Sequence, residues 1–344
     1  MILAAGYGTR LGPITKYVPK PMLPMVGAPL VRWAVLWLRH HGIREIVVNL
    51  HHLGEQIESE LGDGRRLGVE IAYSREAGQI LGTGGGLRQA RHLLEQDPET
   101  PIVAINGKIM LDLDLGAVLA FHREKAAEAT LVLRDDPNAE RWGSFGLDED
   151  GRIVRMLGLE HPDVRRIGPL RMFTGVQVFA PRFLDRVPPE GEACIVRTAV
   201  RGAFDDGQGL YGYVMDGYWW EHSTVDRYLD GVEHVLAGRA RLPHADAPIA
   251  RIDDSASVDP SARIEGPVFV GPRARIEAGA VVGPYCAVEA DAVVEGGARL
   301  ERTVVFPGAR ARDTLRRAAV VRDGAAGCDV AVFGDVRAAP DDPR

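Results

Sequence analysis

Between residues 258 and 300 an aliphatic side chain recurs at every sixth position: Val258, Ile264, Val270, Ile276, Val282, Val288, Val294 and Leu300, with Phe306 next in phase. Two residues before each aliphatic stands a small or modest side chain: Ala256, Ala262, Val268, Ala274, Ala280, Cys286, Ala292 and Ala298. Gly, Pro and Asp are common between them. Neither regular element has this period, because a helix repeats near 3.6 residues and a strand every two. A solenoid with three short faces per coil does: each hexad is one face, and its aliphatic side chain points to the axis. The spacing predicts a parallel β-helix over 251–335.

The preceding residues follow a different pattern. "REIVVNL" (44–50), "TPIVAING" (100–107) and "AEATLVLRDD" (127–136) are β-branched, strand-like runs. Between them lie helical stretches. In "PLVRWAVLWLRHHGI", Leu30, Trp33, Ala34 and Trp37 share one stripe and Gly42 is the stop. "DLGAVLAFHREKA" (114–126) is a second helix, with Asp112 and Asp114 as capping or surface residues at its start. Such alternation implies an α/β layer fold with a Rossmann-like, mostly parallel sheet over 1–240. A linker at 241–250 joins it to the β-helix, and 336–344 form a flexible tail.

The 344 residues are too many for one comfortable core, so two domains are expected. A net charge of -7 argues against a general nucleic-acid or membrane-surface binder. Cys194, Cys286 and Cys328 lie far apart without CxxC, which fits a reducing cytoplasm. No apolar run approaches the roughly 20 residues of a membrane span. Only Met1 and Ile2 precede "LAAG", so a start codon further upstream is an open expectation.

"GYGTR" follows the first strand. Gly6 and Gly8 let the backbone close on an anion, Thr9 adds a hydroxyl and Arg10 supplies a fixed-charge fork for phosphate oxygens. Lys20, between Pro19 and Pro21, is a second cation on a stiff segment. The Walker A pattern is absent. The adjacent histidine pairs in "RHHG" and "NLHHLG" lack the i, i+4 spacing of a helical zinc site. Tyr218, Trp219 and Trp220 read as core packing.

"LAAGYGTRLGPITKYVPKPMLPMVGAPL" resembles the signature of sugar-1-phosphate nucleotidyltransferases, which make nucleoside-diphosphate sugars and pyrophosphate. "LGTGGGL" (81–87), "NGKIMLDLDL" (106–115), "GSFGLDEDGRI" (143–153), "FTGVQVF" (173–179) and "GYWWEHSTVDRYL" (217–229) follow in the family's order. The hexad tail is similar to the left-handed β-helix of mannose-1-phosphate guanylyltransferases. The resemblance implies that Leu3, Ala4, Ala5 and Gly6 contact the nucleotide, and that Gly8, Thr9 and Arg10 hold its phosphates. It implies Lys20 on the sugar phosphate and Gly82 and Thr83 on the base. It places Gly146, Glu160 and Gly175 on the sugar. Gly146 and Gly175 suit strand bulges equally well, and Glu160 a solvated loop carboxylate. The implied partners are an NTP and a hexose 1-phosphate, with a homo-oligomer or partner subunit docked through the β-helix.

The family also implies Mg2+, held by one Asp of "NGD" and another near the "GYWWEHS" stretch. Here those positions are Lys108 and Glu221. A Lys ammonium ~4 Å from a divalent cation, at an effective dielectric of ~20, is repelled by roughly 8 kcal/mol. Three outcomes are open. Lys108 swings away, it replaces the metal, or catalysis is lost while ligand binding persists. The expected activity is nucleotidyl transfer from an NTP to a hexose 1-phosphate for surface-polysaccharide or glycoconjugate precursors. The alternative is a nucleotide-sugar-binding regulatory subunit.

Overall fold

The computed structural model describes residues 1–95, 97–137, 139–142, 144–162, 167–207, 209–245, 248–323 and 328–334. The tail expected over 336–344 and residues 246–247 of the expected linker lie outside the described residues. The chain divides into two compact units. The first holds Met1–Gly6, Trp37–Gly107 and Asp112–Gly217; the second holds Tyr7–Leu36, Lys108–Leu111 and the chain from Tyr218 onward.

The first unit is built on a ten-stranded mixed sheet. In chain order its strands are β1 (Ile2–Leu3), β2 (Glu45–Leu50), β3 (Glu70–Arg75), β4 (Ile102–Asn106), β5 (Ala129–Asp135), β6 (Ser144–Leu147), β7 (Ile153–Met156), β8 (Leu159–Glu160), β9 (Arg171–Phe179) and β10 (Leu210–Met215). The order is β8-β7-β6-β9-β4-β1-β2-β3, and β5 pairs with both β9 and β10. Strands β3, β2, β1 and β4 run parallel, and β9 joins them antiparallel to β4. In β2 only Glu45 is exposed, while Ile46 to Leu50 are buried, as expected of a parallel strand covered on both faces. The core beneath the sheet includes Leu131, Leu133, Phe145, Met156, Phe179 and Phe183. The helix predicted after residue 114 runs Leu115–Glu124, and Asp114 caps it by accepting from Ala117 N at 3.1 Å.

The helix predicted from the Leu30 stripe runs Leu30–His40, and Leu30, Trp33, Ala34 and Trp37 are all buried. Gly42, at φ 84°, takes the left-handed turn just beyond it.

In the second unit the hexads form three ladders of short parallel strands. Val258, Ile276 and Val294 stack on one face, Ile264, Val282 and Leu300 on the next, and Val270 and Val288 on the third. This is the β-helix that the six-residue period predicts, with three hexads to a coil. The period breaks at Phe306. The ladder partner of Val288 is Val305, so that coil is one residue short. Arg302 makes the corner there in the left-handed region, at φ 45°. Phe306 packs instead edge-on against the Tyr228 ring, centroids 6.0 Å apart. A last strand, Cys328–Phe333, closes the third ladder antiparallel to Ala318–Asp323.

The β-helix is packed within its unit against the helix Val225–Leu236 and the hairpin of Pro24–Met25 with Ala28–Pro29. Arg317 pairs with Asp226 at 3.2 Å and Asp230 at 3.0 Å, and Arg302 with Glu233 at 3.0 Å. Tyr228 Oη donates to Pro24 O at 2.6 Å. At the hairpin tip Gly27 N donates to the Glu289 carboxylate at 3.1 Å. Gly27 has φ 94°, and a Cβ on it would lie 2.9 Å from the Phe269 ring, so both conformation and space demand glycine. Burial pushes the Glu289 carboxyl up to about 7, although the Gly27 and Val26 amides act against it.

Candidate active site

Within the second unit, the cations predicted from the glycine-rich stretch gather around one carboxylate. Gly8 has φ 68°, and a Cβ there would sit 3.0 Å from Thr15 and 3.2 Å from Lys20 Cβ. That turn leads into 3-10 geometry over Thr9–Lys16, which leaves Thr9 and Arg10 exposed while Leu11 and Ile14 anchor it in the core. Pro19 is extended, and the chain turns at Lys20–Met22 into the hairpin held by Glu289. Lys20 is therefore on a braced segment, and it is only 7% exposed. Burial pulls its ammonium down to about 8; Lys108 and Arg10 add to the fall and Glu221 opposes it.

Lys108 and Glu221 come together although 113 positions separate them: Lys108 Nζ donates to Glu221 Oε1 at 2.5 Å. Arg10 Nη2 is 4.0 Å from the same oxygen. The two residues are aligned by the antiparallel pairing of Ile109–Leu111 with Trp219–Glu221, in which Glu221 faces Ile109. His222 pins the Lys108 carbonyl with its backbone N at 3.1 Å and its Nδ1 at 3.0 Å. Burial holds His222 neutral, its pKa pulled to about 3. Burial raises the Glu221 carboxyl, but Lys108, by charge and hydrogen bond, together with Lys20 and Arg10, outweighs it and holds the group below the usual range.

These residues do not fit a divalent cation. Glu221 is the carboxylate of the cluster, and it is already paired with the Lys108 ammonium, with Arg10 4.0 Å away and the Lys20 charge acting on it as well. No group of three His, Cys, Asp or Glu side chains suited to a metal exists among the described residues. The expectation that Glu221 binds metal has no support in this geometry, because a metal there would meet Lys108 first.

In the first unit, the other predicted residues sit in strands, just after β1 and at a helix start. Leu3 lies in β1, Ala4 and Ala5 are buried, and Gly6 is exposed with open space where a Cβ would project. Ala4 N donates to Asn49 Oδ1 at 2.7 Å, so that amide is used inside the fold. Gly82 opens the helix Gly82–Gln89 at φ 70°. At this helix start Gly84 N and Gly85 N donate to Ala193 O at 2.8 and 3.2 Å. Thr83 Oγ1 accepts from Ile195 N at 3.0 Å. Gly175 lies at the irregularity between β9 and β5, at φ 85°, where a Cβ would lie 2.2 Å from Asn106 Nδ2. Gly146 is opposite the β7 irregularity between Ile153 and Arg155, and a Cβ there would meet Ile167 at 2.5 Å. Glu160 pairs with Arg155 at 3.3 Å.

The profile of the nucleotidyl transferase family matches residues 1–238. The chain belongs to that family. Among curated relatives of this chain, a UTP–glucose-1-phosphate uridylyltransferase of Synechocystis is 36% identical over 69% of the chain and 63% of the relative. A mannose-1-phosphate guanylyltransferase of Mycobacterium tuberculosis is 32% identical over 71% of the chain and 66% of the relative. An N-acetylmuramate alpha-1-phosphate uridylyltransferase of Neisseria meningitidis serogroup B is 35% identical over 69% of the chain and 97% of the relative. The match thus spans less than two thirds of the first two relatives. A Bacillus anthracis chain solved with sucrose superposes with a TM-score of 0.55 at 23% identity, covering 67% of this chain and 92% of that one. That likeness shows the fold. No helix among the described residues is long and apolar enough to cross a membrane.

Two residues of this chain lie outside the motifs. Asn49 Nδ2 donates to Glu76 Oε1 at 2.6 Å, and Glu76 Oε2 accepts from Leu81 N at 2.8 Å. The pair is buried and ties the residue after β1 to the start of the Gly82 helix. A Cβ on Gly86 would lie 2.6 Å from Glu76 and 2.8 Å from Asn49, so one glycine of "LGTGGGL" makes room for this bridge. The signal available was a polar residue inside the apolar "IVVNL" run.

Proposed function

We propose that the chain transfers a nucleotidyl group from an NTP to a hexose 1-phosphate. A phosphate oxygen of the sugar phosphate attacks the α-phosphorus. The bond from that phosphorus to the bridging oxygen of the β-phosphate breaks, and pyrophosphate leaves with the bonding pair. Such a displacement asks the protein for position and charge rather than a covalent intermediate. Arg10 meets the developing charge, Gly8 and Thr9 hold the triphosphate, and Lys20 binds the sugar phosphate. Leu3, Ala4, Ala5, Gly6, Gly82 and Thr83 border the nucleotide; Gly146, Glu160 and Gly175 border the sugar. The observation that carries this reading is the left-handed Gly8 turn with exposed Arg10 beside it and buried Lys20 packed beneath. The relatives act on glucose, mannose and N-acetylmuramate 1-phosphates, which supports a sugar 1-phosphate as acceptor. We place the reaction in the cytoplasm, with a second copy or partner subunit docked through the β-helix.

The test is pyrophosphate release by the full chain, given UTP or GTP with glucose 1-phosphate or mannose 1-phosphate. Release that needs both substrates is expected. No release from any common NTP and sugar 1-phosphate pair, with or without divalent ions, overturns the reading. The Lys108–Glu221 pair favours a second reading, a chain that binds nucleotide sugar without turnover. Calorimetric affinity for a nucleotide sugar with no pyrophosphate release would select it.

A further inference from the structure

Lys108 bonds the Glu221 carboxylate, Arg10 lies 4.0 Å from it and the Lys20 charge acts on it as well, so one negative group faces three positive ones. The pair at its centre is held in place. Glu221 belongs to a strand paired with the one that follows Lys108, and His222 fixes the Lys108 backbone from within the core. Only the Lys108 side chain beyond that fixed backbone is long and flexible, and it is partly exposed, at 29%. An ammonium on such a stem is a point charge that can turn from one oxygen to another. A hard divalent cation needs several oxygen ligands, chiefly carboxylates or phosphates. The described residues offer no such group, while a free triphosphate carries the charge that this cluster lacks.

We propose that the Lys108 ammonium stands in for a divalent cation, so that the cluster of Arg10, Lys20 and Lys108 takes up a nucleoside triphosphate without metal. This rests on the nucleotide-binding reading above. Glu221 holds Lys108 in readiness, and the ammonium passes from Glu221 Oε1 to a phosphate oxygen when the nucleotide arrives. Binding by ion pairs alone also makes affinity fall as salt rises.

The experiment is calorimetric titration of the full chain with UTP and with GTP, in excess EDTA and again in excess MgCl2. For the better-bound nucleotide, affinity in EDTA equal to or above that in MgCl2 is expected. Lys108→Met should weaken metal-free binding by about tenfold or more, which corresponds to about 1.4 kcal/mol. Lys108→Asp should weaken it further and make binding depend on Mg2+. The proposal is overturned if wild-type affinity drops by about tenfold or more in EDTA. It is also overturned if folded Lys108→Met binds the metal-free nucleotide as the wild type does. If a variant does not fold, the wild-type comparison decides alone. Absence of binding to both nucleotides, with and without Mg2+, overturns the nucleotide-binding reading itself, which separates the two failures.

Discussion

Replacing Arg10 with Gln lowers kcat/KM by about 100- to 1,000-fold, because a fixed donor aimed at developing charge is worth about 3–4 kcal/mol in the transition state. Folding stays intact in the variant. The guanidinium is 57% exposed, and its ion pair to Glu221 is 4.0 Å long; exposed pairs of that kind contribute little to stability. The neighbouring scaffold does not depend on it either, since Leu11 and Ile14 anchor the turn from the buried side. Steady-state pyrophosphate release, read beside a thermal melt, checks this. An unchanged melt with activity within about threefold of wild type would remove Arg10 from the chemistry.

The second large effect concerns stability and pH. Glu289 is buried, and its carboxyl is raised from 4.5 to about 7. Between those values the folded protein keeps a proton that the unfolded chain has released. Stability from this group is therefore fully present below the unfolded pKa, falls as pH rises through the window, and is flat above about 7. Roughly 3 kcal/mol is at stake for a shift of this size. Glu289→Gln keeps an oxygen for the Gly27 amide and removes the charge. The variant should match wild type near pH 4.5 and exceed it at pH 8, by up to about 3 kcal/mol. Glu221 has the opposite sign, because its depressed pKa contributes stability that is lost as pH falls. The difference between wild type and variant cancels that term. Denaturant unfolding at pH 5 and pH 8 reads the effect, and a difference that does not grow with pH would show that Glu289 is not buried against the hairpin.

Local patterns made much of this architecture readable in advance. The six-residue period encodes the β-helix because each axial aliphatic must be buried on its own short face, and the Leu30 stripe encodes its helix for the same reason. The Gly8 turn with Arg10 and Lys20 was legible because a left-handed glycine and prolines beside a lysine constrain the backbone locally. Long-range pairings were not legible. The resemblance put Lys108 and Glu221 at one site but did not announce them as a bonded pair, and Asn49 and Glu76 meet only once β2 and β3 are side by side. The contacts made inside the fold by "LGTGGGL" were not legible either. The Ala193 carbonyl, contributed from far along the chain, takes the amides of Gly84 and Gly85. The hexad count carried one phase too far, because a corner in the left-handed conformation drops a residue before Phe306 and frees that ring for Tyr228.

The most direct measurement is a crystal structure of the full chain with a non-hydrolysable nucleoside triphosphate. The account predicts phosphate oxygens against the backbone amides of Gly8 to Arg10, with the Arg10 guanidinium turned onto them. A nucleotide bound elsewhere, with that turn vacant and the guanidinium facing solvent, would contradict it.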